Sequence, residues 1–218
     1  MENPEDSVVG SLAPPVRMAL AHAPRPVRAA TAALFALDAR LGAIVRRSHE
    51  PMLAQLRLAW WRDQLGASPA DWPAGEPVLA ALRCWGGGHA ALGPLVDGWE
   101  ALIGDAPLPG DRFVQFVGGR AAGFAALAGI AGAAAWTGEA RRTAREWALA
   151  DLAGRLTDPR EGATVSAMAD AASWSPARLP RALRTLAVLH GLARREQRGG
   201  RPGIGALAAG LRIGLIGR

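Results

Sequence analysis

The acidic residues of this 218-residue chain do not form the carboxylate pair that a divalent-metal enzyme needs on a helix. Two carboxylates face the same metal cluster when they stand about one helical turn apart, as in Asp-x-x-x-Asp. The sequence contains neither that spacing nor Asp-Asp. Its nearest equivalents are Asp97-x-x-Glu100, which we interpret as a solvated helix face, and Asp158-x-x-Glu161, which we interpret as a helix cap.

Histidine and cysteine give no pattern for a metal site or a nucleophile. Cys84 precedes His89 with Trp85 and three glycines between them, which we interpret as a helix end followed by a flexible loop. The glycines could cradle a phosphate, but no Lys-Ser or Lys-Thr follows, so the stretch is not a P-loop. The four histidines are far apart in sequence, without zinc or di-iron spacing: His22, His49, His89 and His190. No catalytic or metal-ligating residue is therefore expected.

The composition restricts the partners and the compartment. The net charge of +6 suits an anionic partner. The arginines are spread along the chain rather than gathered in one run, so a solvated surface is the simpler interpretation of the charge. No nucleic-acid partner is expected. The single Cys84 excludes an internal disulfide and fits a reducing cytoplasm. The first eleven residues lack the order of an export signal, which also predicts a cytoplasmic location.

Helical periodicity runs through most of the chain, and no strand-like alternation interrupts it. The main predicted helices cover residues 27–47, 50–65, 111–136, 139–156 and 179–195, with a short one at 204–216. The uncharged run at 121–138 is mostly alanine and glycine, so we interpret it as a buried central helix rather than a membrane span. We predict an all-α protein with a disordered tail at residues 1–11 and one helical domain at residues 12–218.

The segment EPMLAQLRLAWWRDQL at residues 50–65 is the most distinctive of these helices. Its large apolar residues leave little of the helix surface for solvent: Leu53, Leu56, Leu58, Trp60, Trp61 and Leu65. A helix that is apolar on most sides is expected to be buried. We therefore predict that this segment lies inside the molecule and meets several neighbours.

Helix by helix, the order of these segments resembles the squalene/phytoene synthase family, which has the isoprenoid synthase fold. The segments that carry the resemblance are LRLAWWRD at 56–63, ALFALD at 33–38, FVQFVGGRAAGFAALAG at 113–129, and residues 140–153, 180–195 and 211–218. They are similar to the divergent side branch that includes a mitochondrial complex I assembly factor. The resemblance implies a single-domain orthogonal helix bundle.

The chain departs from this family at both of its aspartate motifs. On the first motif helix, Asp38 is the single aspartate, and it precedes the positions where the family has its aspartates. Those positions, residues 41–46, read LGAIVR in this chain. Asp151 is the one carboxylate of the second motif, and Arg155 stands where another is expected. One carboxylate on each side does not hold three divalent ions against a diphosphate. The resemblance therefore implies a degenerate site without a cofactor.

Three functions stay open. The first is a non-catalytic scaffold or assembly-type factor that acts through contacts with a protein partner. The second is a transferase that condenses prenyl diphosphates and uses Mg²⁺, or arginines in its place. The third is a module that binds a prenyl lipid or an anionic membrane surface, peripheral to the inner membrane. The candidate diphosphate-binding residues are Arg40, Arg46, Arg47, Arg120 and Arg155. A solvated position or an ion pair between helices would also explain why arginine occurs at these positions.

Overall fold

Proline lies in the first turn of six α-helices in the part of the chain that the structure describes, because its missing N–H costs nothing there. The computed structural model describes residues 8–48 and 50–199, and within these ranges the secondary structure is helical and no strand occurs. The helices are α1 (Pro14–Leu20), α2 (Arg25–Arg47), α3 (Pro51–Gly66), α4 (Pro77–Leu82), α5 (Gly93–Glu100), α6 (Gly110–Ile130), α7 (Thr137–Ala153), α8 (Pro159–Asp170) and α9 (Arg184–Gln197). The predicted all-α class is confirmed.

Helix α6 lies at the centre of the fold, where it packs against α5 on one side and α7 on the other. Glycine allows the close approach of α5 and α6, since a Cβ at Gly119 would lie 2.3 Å from the Pro94 carbonyl oxygen and 3.0 Å from Gly98 Cα. Edge-to-face contacts among Phe35, Phe124 and Trp147 join α2, α6 and α7. These three helices therefore share one aromatic cluster in the core.

Helix α6 is long and apolar enough to cross a membrane by length and composition, and 61% of its most apolar window is buried in the protein. It ends at Ile130, earlier than the predicted end near Trp136. The reason is Gly132, whose φ of +69° interrupts the helix before a short 3₁₀ turn at Ala134–Trp136. The uncharged run at 121–138 is thus divided between two elements.

Helix α3 corrects the prediction for residues 50–65. One face is buried, with Leu58, Trp61 and Leu65 in the core. The opposite face is exposed and carries Met52, Leu53, Leu56 and Trp60. This helix packs against α2, α5 and the 3₁₀ segment Arg83–Leu92 on one side only, so it lies at the surface of the described molecule.

The packed part of the chain begins before the predicted end of the N-terminal tail. Residues 8–10 are helical, and Val8 and Leu12 are buried against the core. The predicted tail at 1–11 is therefore too long, because these two apolar side chains have neighbours to pack on. The predicted helix at 204–216 and the family-like segment at 211–218 lie outside the described residues, as does His49.

Candidate functional site

The buried guanidinium of Arg120 joins the two aspartates that the sequence singles out. Arg120 lies on α6, and only 5% of its side chain is exposed. Its Nε and Nη2 donate to the two carboxylate oxygens of Asp38 on α2, with Nε 3.0 Å from Oδ1. Its Nη1 donates to Oδ2 of Asp151 on α7 at 2.5 Å. Three core helices thus meet at one ion-pair network.

Aromatic rings hold this guanidinium in place. Its central carbon lies 4.5 Å from the Trp147 ring centroid and 5.1 Å from that of Phe116. Trp99 lies 5.8 Å away and also donates its indole N–H to Asp38 Oδ1 at 2.8 Å. Cation–π contacts and charge-assisted hydrogen bonds therefore act on the same group, which leaves it little freedom to move.

The network is charged at neutral pH. Burial alone would lower the pKa of Arg120, but the carboxylates of Asp38 and Asp151 outweigh it and raise that pKa above its usual value. Burial would raise the pKa of the Asp151 carboxyl, whereas Arg120 and Arg155 lower it below its usual 3.8. A protonated Arg120 therefore faces an ionised Asp151.

A small cavity of about 210 Å³ opens beside this network. Arg46 and Arg155 line it together with Asp38, Arg120, Trp99 and Trp147. Arg155 donates to both oxygens of Asp151, at 3.0 and 2.8 Å. Arg46 forms no ion pair with any residue in the described ranges, and burial and the charge of Arg155 both lower its pKa. The three arginines and two aspartates give this site a surplus of one positive charge.

The other two candidate arginines lie elsewhere. Arg40 and Arg47 line a separate groove of about 340 Å³, next to Trp60 and Trp61 of α3. Arg40 is already paired there with Glu76 at 2.5 Å. The structure therefore brings Arg46, Arg120 and Arg155 to one cavity and leaves Arg40 and Arg47 outside it.

Neither position one turn after an aspartate supplies a second carboxylate. A Cβ on Gly42, four residues after Asp38, would lie 2.7 Å from Cη2 of Trp99 and 2.8 Å from Nη1 of Arg46. The corresponding position after Asp151 is Arg155, whose charge is opposite to that of a metal ligand. An aromatic ring and a guanidinium thus occupy the two places where carboxylate pairs would be completed.

We expect Gly42→Asp, which restores the Asp-x-x-x-Asp spacing, to lower the free energy of unfolding by about 2 kcal/mol because the new side chain overlaps Trp99. The control is Gly118→Asp on α6, the same change of residue type at a position where no atom lies within 4 Å of an added Cβ. Urea denaturation of the two variants checks the prediction. Equal stability would mean that Trp99 moves aside readily and that the position is open to a carboxylate.

An apolar cavity of about 370 Å³ adjoins the arginine-lined one and shares Trp147 with it. Its walls come from α1, α7 and α9 and include Pro14, Met18, Leu189 and Leu192. The acidic residues Asp151 and Glu196 also line it. Together the two cavities offer an arginine-rich end and a mostly apolar end, an arrangement that suits an amphiphilic ligand.

A second buried network was not predicted from the sequence. Glu146 of α7 accepts hydrogen bonds from Arg142 at 2.8 Å and from Ser173 at 2.9 Å, and lies 2.6 Å from Nε2 of His190 on α9. Trp174 stacks on the His190 ring. Burial lowers the pKa of His190, although Glu146 opposes the shift. The network ties α9 to α7, a structural role that sequence spacing alone does not reveal.

The remaining sequence candidates have local structural roles. Both ring nitrogens of His89 lie at hydrogen-bond distance from backbone carbonyl oxygens, those of Gly86 and Ala67. The ring is therefore not placed to act as a base for the Cys84 thiol. The predicted cap is confirmed, since Asp158 accepts from two backbone N–H groups at the start of α8. Asp97 and Glu100 are both paired with Arg62 rather than simply solvated.

The sequence indicates Asp38, Arg120 and Asp151 as candidate site residues but not the aromatic residues around them. Trp99 was not predicted to belong to the site, and the chain position of its helix carries no signal that it does.

Within the described ranges, no three His, Cys, Asp or Glu side chains form a group that could hold a metal ion. Comparison of the chain with protein-family models, with curated proteins and with solved structures found no match.

Proposed function

We propose that this protein is a catalytically degenerate relative of the squalene/phytoene synthases that acts as a scaffold or assembly-type factor through contacts with another protein. The observation that carries the proposal is Arg120, which bridges Asp38 and Asp151. On this proposal the chain keeps the helical framework of that family and has lost its catalytic activity. A cytoplasmic location belongs to the same proposal.

The bridge gives every carboxylate oxygen of Asp38 and Asp151 at least one charged or indole N–H donor, so a divalent ion would have to compete with these bonds. Asp38 accepts from Trp99 and Arg120, and both oxygens of Asp151 accept from guanidinium groups. Mg²⁺ needs oxygen ligands in octahedral geometry, so it would have to expel Arg120 from a buried position. An unpaired buried guanidinium costs several kcal/mol, which supports a structural role for the network. The residues present do not fit a trinuclear Mg²⁺ site.

The test is a calorimetric titration with farnesyl diphosphate, with and without Mg²⁺, in which the same samples are assayed for released pyrophosphate. We expect no Mg²⁺-dependent heat and no pyrophosphate above a protein-free blank. The matched control is the triple variant Asp38→Asn, Arg120→Met, Asp151→Asn, which removes both carboxylates without leaving Arg120 as an unpaired buried charge and should give the same result as the wild-type chain. Pyrophosphate release that this variant loses would instead favour a prenyl diphosphate transferase.

A second candidate function is metal-independent binding of a prenyl lipid with an anionic head. The apolar cavity beside Arg46 and Arg155 favours it, because arginines can hold a diphosphate without metal. In the same titration it predicts saturable binding in EDTA that the double substitution Arg46→Met, Arg155→Met abolishes. Binding that survives the substitution would exclude this pair as the head-group site.

A further inference from the structure

The exposed face of α3 carries a continuous apolar surface that the proposed site does not explain. We name it the α3 ridge and define it as Met52, Leu53, Leu56 and Trp60, with exposed fractions of 70, 44, 61 and 38%. Met52, Leu56 and Trp60 follow each other at intervals of one turn, on the side opposite the buried Leu58. Single exposed apolar residues are ordinary, but a contiguous set on one helix marks an interaction surface.

A basic groove runs beside the α3 ridge. It is lined by Arg40, Arg47, Arg57, Trp60 and Glu76 among others. Glu76 neutralises Arg40, whereas Arg47 and Arg57 form no ion pair with any residue that the structure describes. The groove therefore has two surplus positive charges directly next to apolar surface. Trp60 belongs to both the ridge and the groove.

We propose that the α3 ridge docks an amphipathic helix of a partner protein, apolar on one face and acidic along the edge that meets Arg47 and Arg57. This inference rests on the proposed scaffold function and names its contact surface. Tryptophan, methionine and arginine are the residue types enriched at the centres of protein interfaces, and all three are present here. Helix packing places apolar residues of the partner between those of the ridge.

The charges around the ridge fit a protein better than a lipid bilayer or a second copy of this chain. Asp63 is exposed about two turns after Leu56 on the same outward face, so membrane insertion of the ridge would bring a carboxylate into the anionic interface. A two-fold pairing of two copies would bring two grooves with the same surplus of positive charge to one interface. This like-charge surplus opposes association.

The first experiment is photo-crosslinking of the full-length protein in its host cell. Benzoylphenylalanine replaces Leu56, or, as a control of matched exposure, Val114, which is 59% exposed on α6. We expect a discrete protein adduct from position 56 and none from position 114. The crosslinked segment of the partner should be an amphipathic helix with acidic residues along one edge. An adduct to lipid, an adduct to the chain itself, or equal labelling from both positions would overturn the proposal.

The second experiment measures the affinity of a synthetic peptide that spans the crosslinked helix, by fluorescence anisotropy. Leu56→Glu and Arg57→Glu should each weaken binding about 10-fold or more, while Val114→Glu should not. Changing the acidic edge of the peptide to lysine should restore its affinity for Arg57→Glu. Equal affinity of the wild-type chain and Arg57→Glu would contradict the docking geometry.

The two proposals fail in distinguishable ways. Pyrophosphate release from farnesyl diphosphate would overturn the proposed function without changing the peptide affinities. Loss of the crosslink and of the peptide binding, with no pyrophosphate release, would overturn the docking surface alone.

Discussion

Replacing Arg120 with methionine is expected to lower the free energy of unfolding by about 3–5 kcal/mol at pH 7, because it leaves Asp38 and Asp151 without their shared buried cation. Urea denaturation at constant pH measures the loss. The matched control is Arg155→Met, since Arg155 pairs with the same Asp151 but its side chain is 47% exposed. Solvent screens that pair, so its loss should cost less than about 1 kcal/mol.

The pH dependence of the Arg120→Met effect has a defined sign. In the wild-type chain the pKa of Asp151 is lowered on folding, so its contribution to stability is present above the unfolded value of 3.8 and is lost as the pH falls below it. In the variant, Asp151 keeps only the half-exposed Arg155 as its cation, so protonation of the Asp151 carboxyl costs less stability than in the wild-type chain. The stability difference between wild type and Arg120→Met should therefore shrink at low pH.

Removing the charges together separates charge pairing from packing at this site. The triple variant Asp38→Asn, Arg120→Met, Asp151→Asn has no buried charge left at the network, so it should recover most of the stability that Arg120→Met loses. Trp99 can still donate to the amide oxygen of an asparagine at position 38.

An Arg120→Met variant whose free energy of unfolding lies within about 1 kcal/mol of the wild-type value would contradict the view that this network is buried and coupled.

Gly119→Ala is the second substitution with a large expected effect, a loss of about 2–3 kcal/mol in the free energy of unfolding. The added Cβ would lie 2.3 Å from the Pro94 carbonyl oxygen, which is backbone and has no rotamer with which to move away. Helices α5 and α6 must separate to admit the methyl group. Because Arg120 follows Gly119 directly, the same shift would disturb its bonds to Asp38.

The neighbouring Gly118 provides the control for Gly119. No atom lies within 4 Å of a Cβ built there, so Gly118→Ala adds helix propensity without a clash. It should be neutral or stabilise the protein by up to about 1 kcal/mol. Thermal unfolding of the two alanine variants should therefore shift in different directions. Equal shifts would mean that α5 and α6 do not meet at Gly119.

The helical class and the long helices follow from sequence periodicity, but the pairing of Asp38 with Arg120 does not. These residues are 82 positions apart, and their contact depends on how α2 and α6 pack in three dimensions. The sequence did indicate both groups separately, Asp38 as a leftover carboxylate and Arg120 as a cation. That each neutralises the other is a property of the fold.

The α3 ridge shows a second limit of sequence patterns. Apolar residues on both sides of a helix do not reveal which side faces the core, so Leu56 and Leu58 are equivalent in the sequence. Only the position of α3 at the surface separates them, with Leu58 fully buried and Leu56 61% exposed. The end of α6 was misplaced for a different reason, since alanines after Gly132 have high helix propensity and conceal the break.

Guanidinium groups donate to Asp38 and Asp151, and we propose that they take the place of divalent ions there. Titration of the protein with Mn²⁺ as a substitute for Mg²⁺, followed by the electron paramagnetic resonance signal of the free ion, tests this proposal directly. We predict that the signal at pH 7 matches that of a protein-free solution at every concentration, for the wild-type chain and for the triple variant Asp38→Asn, Arg120→Met, Asp151→Asn alike. Saturable loss of the signal with the wild-type chain, abolished in the triple variant, would contradict it.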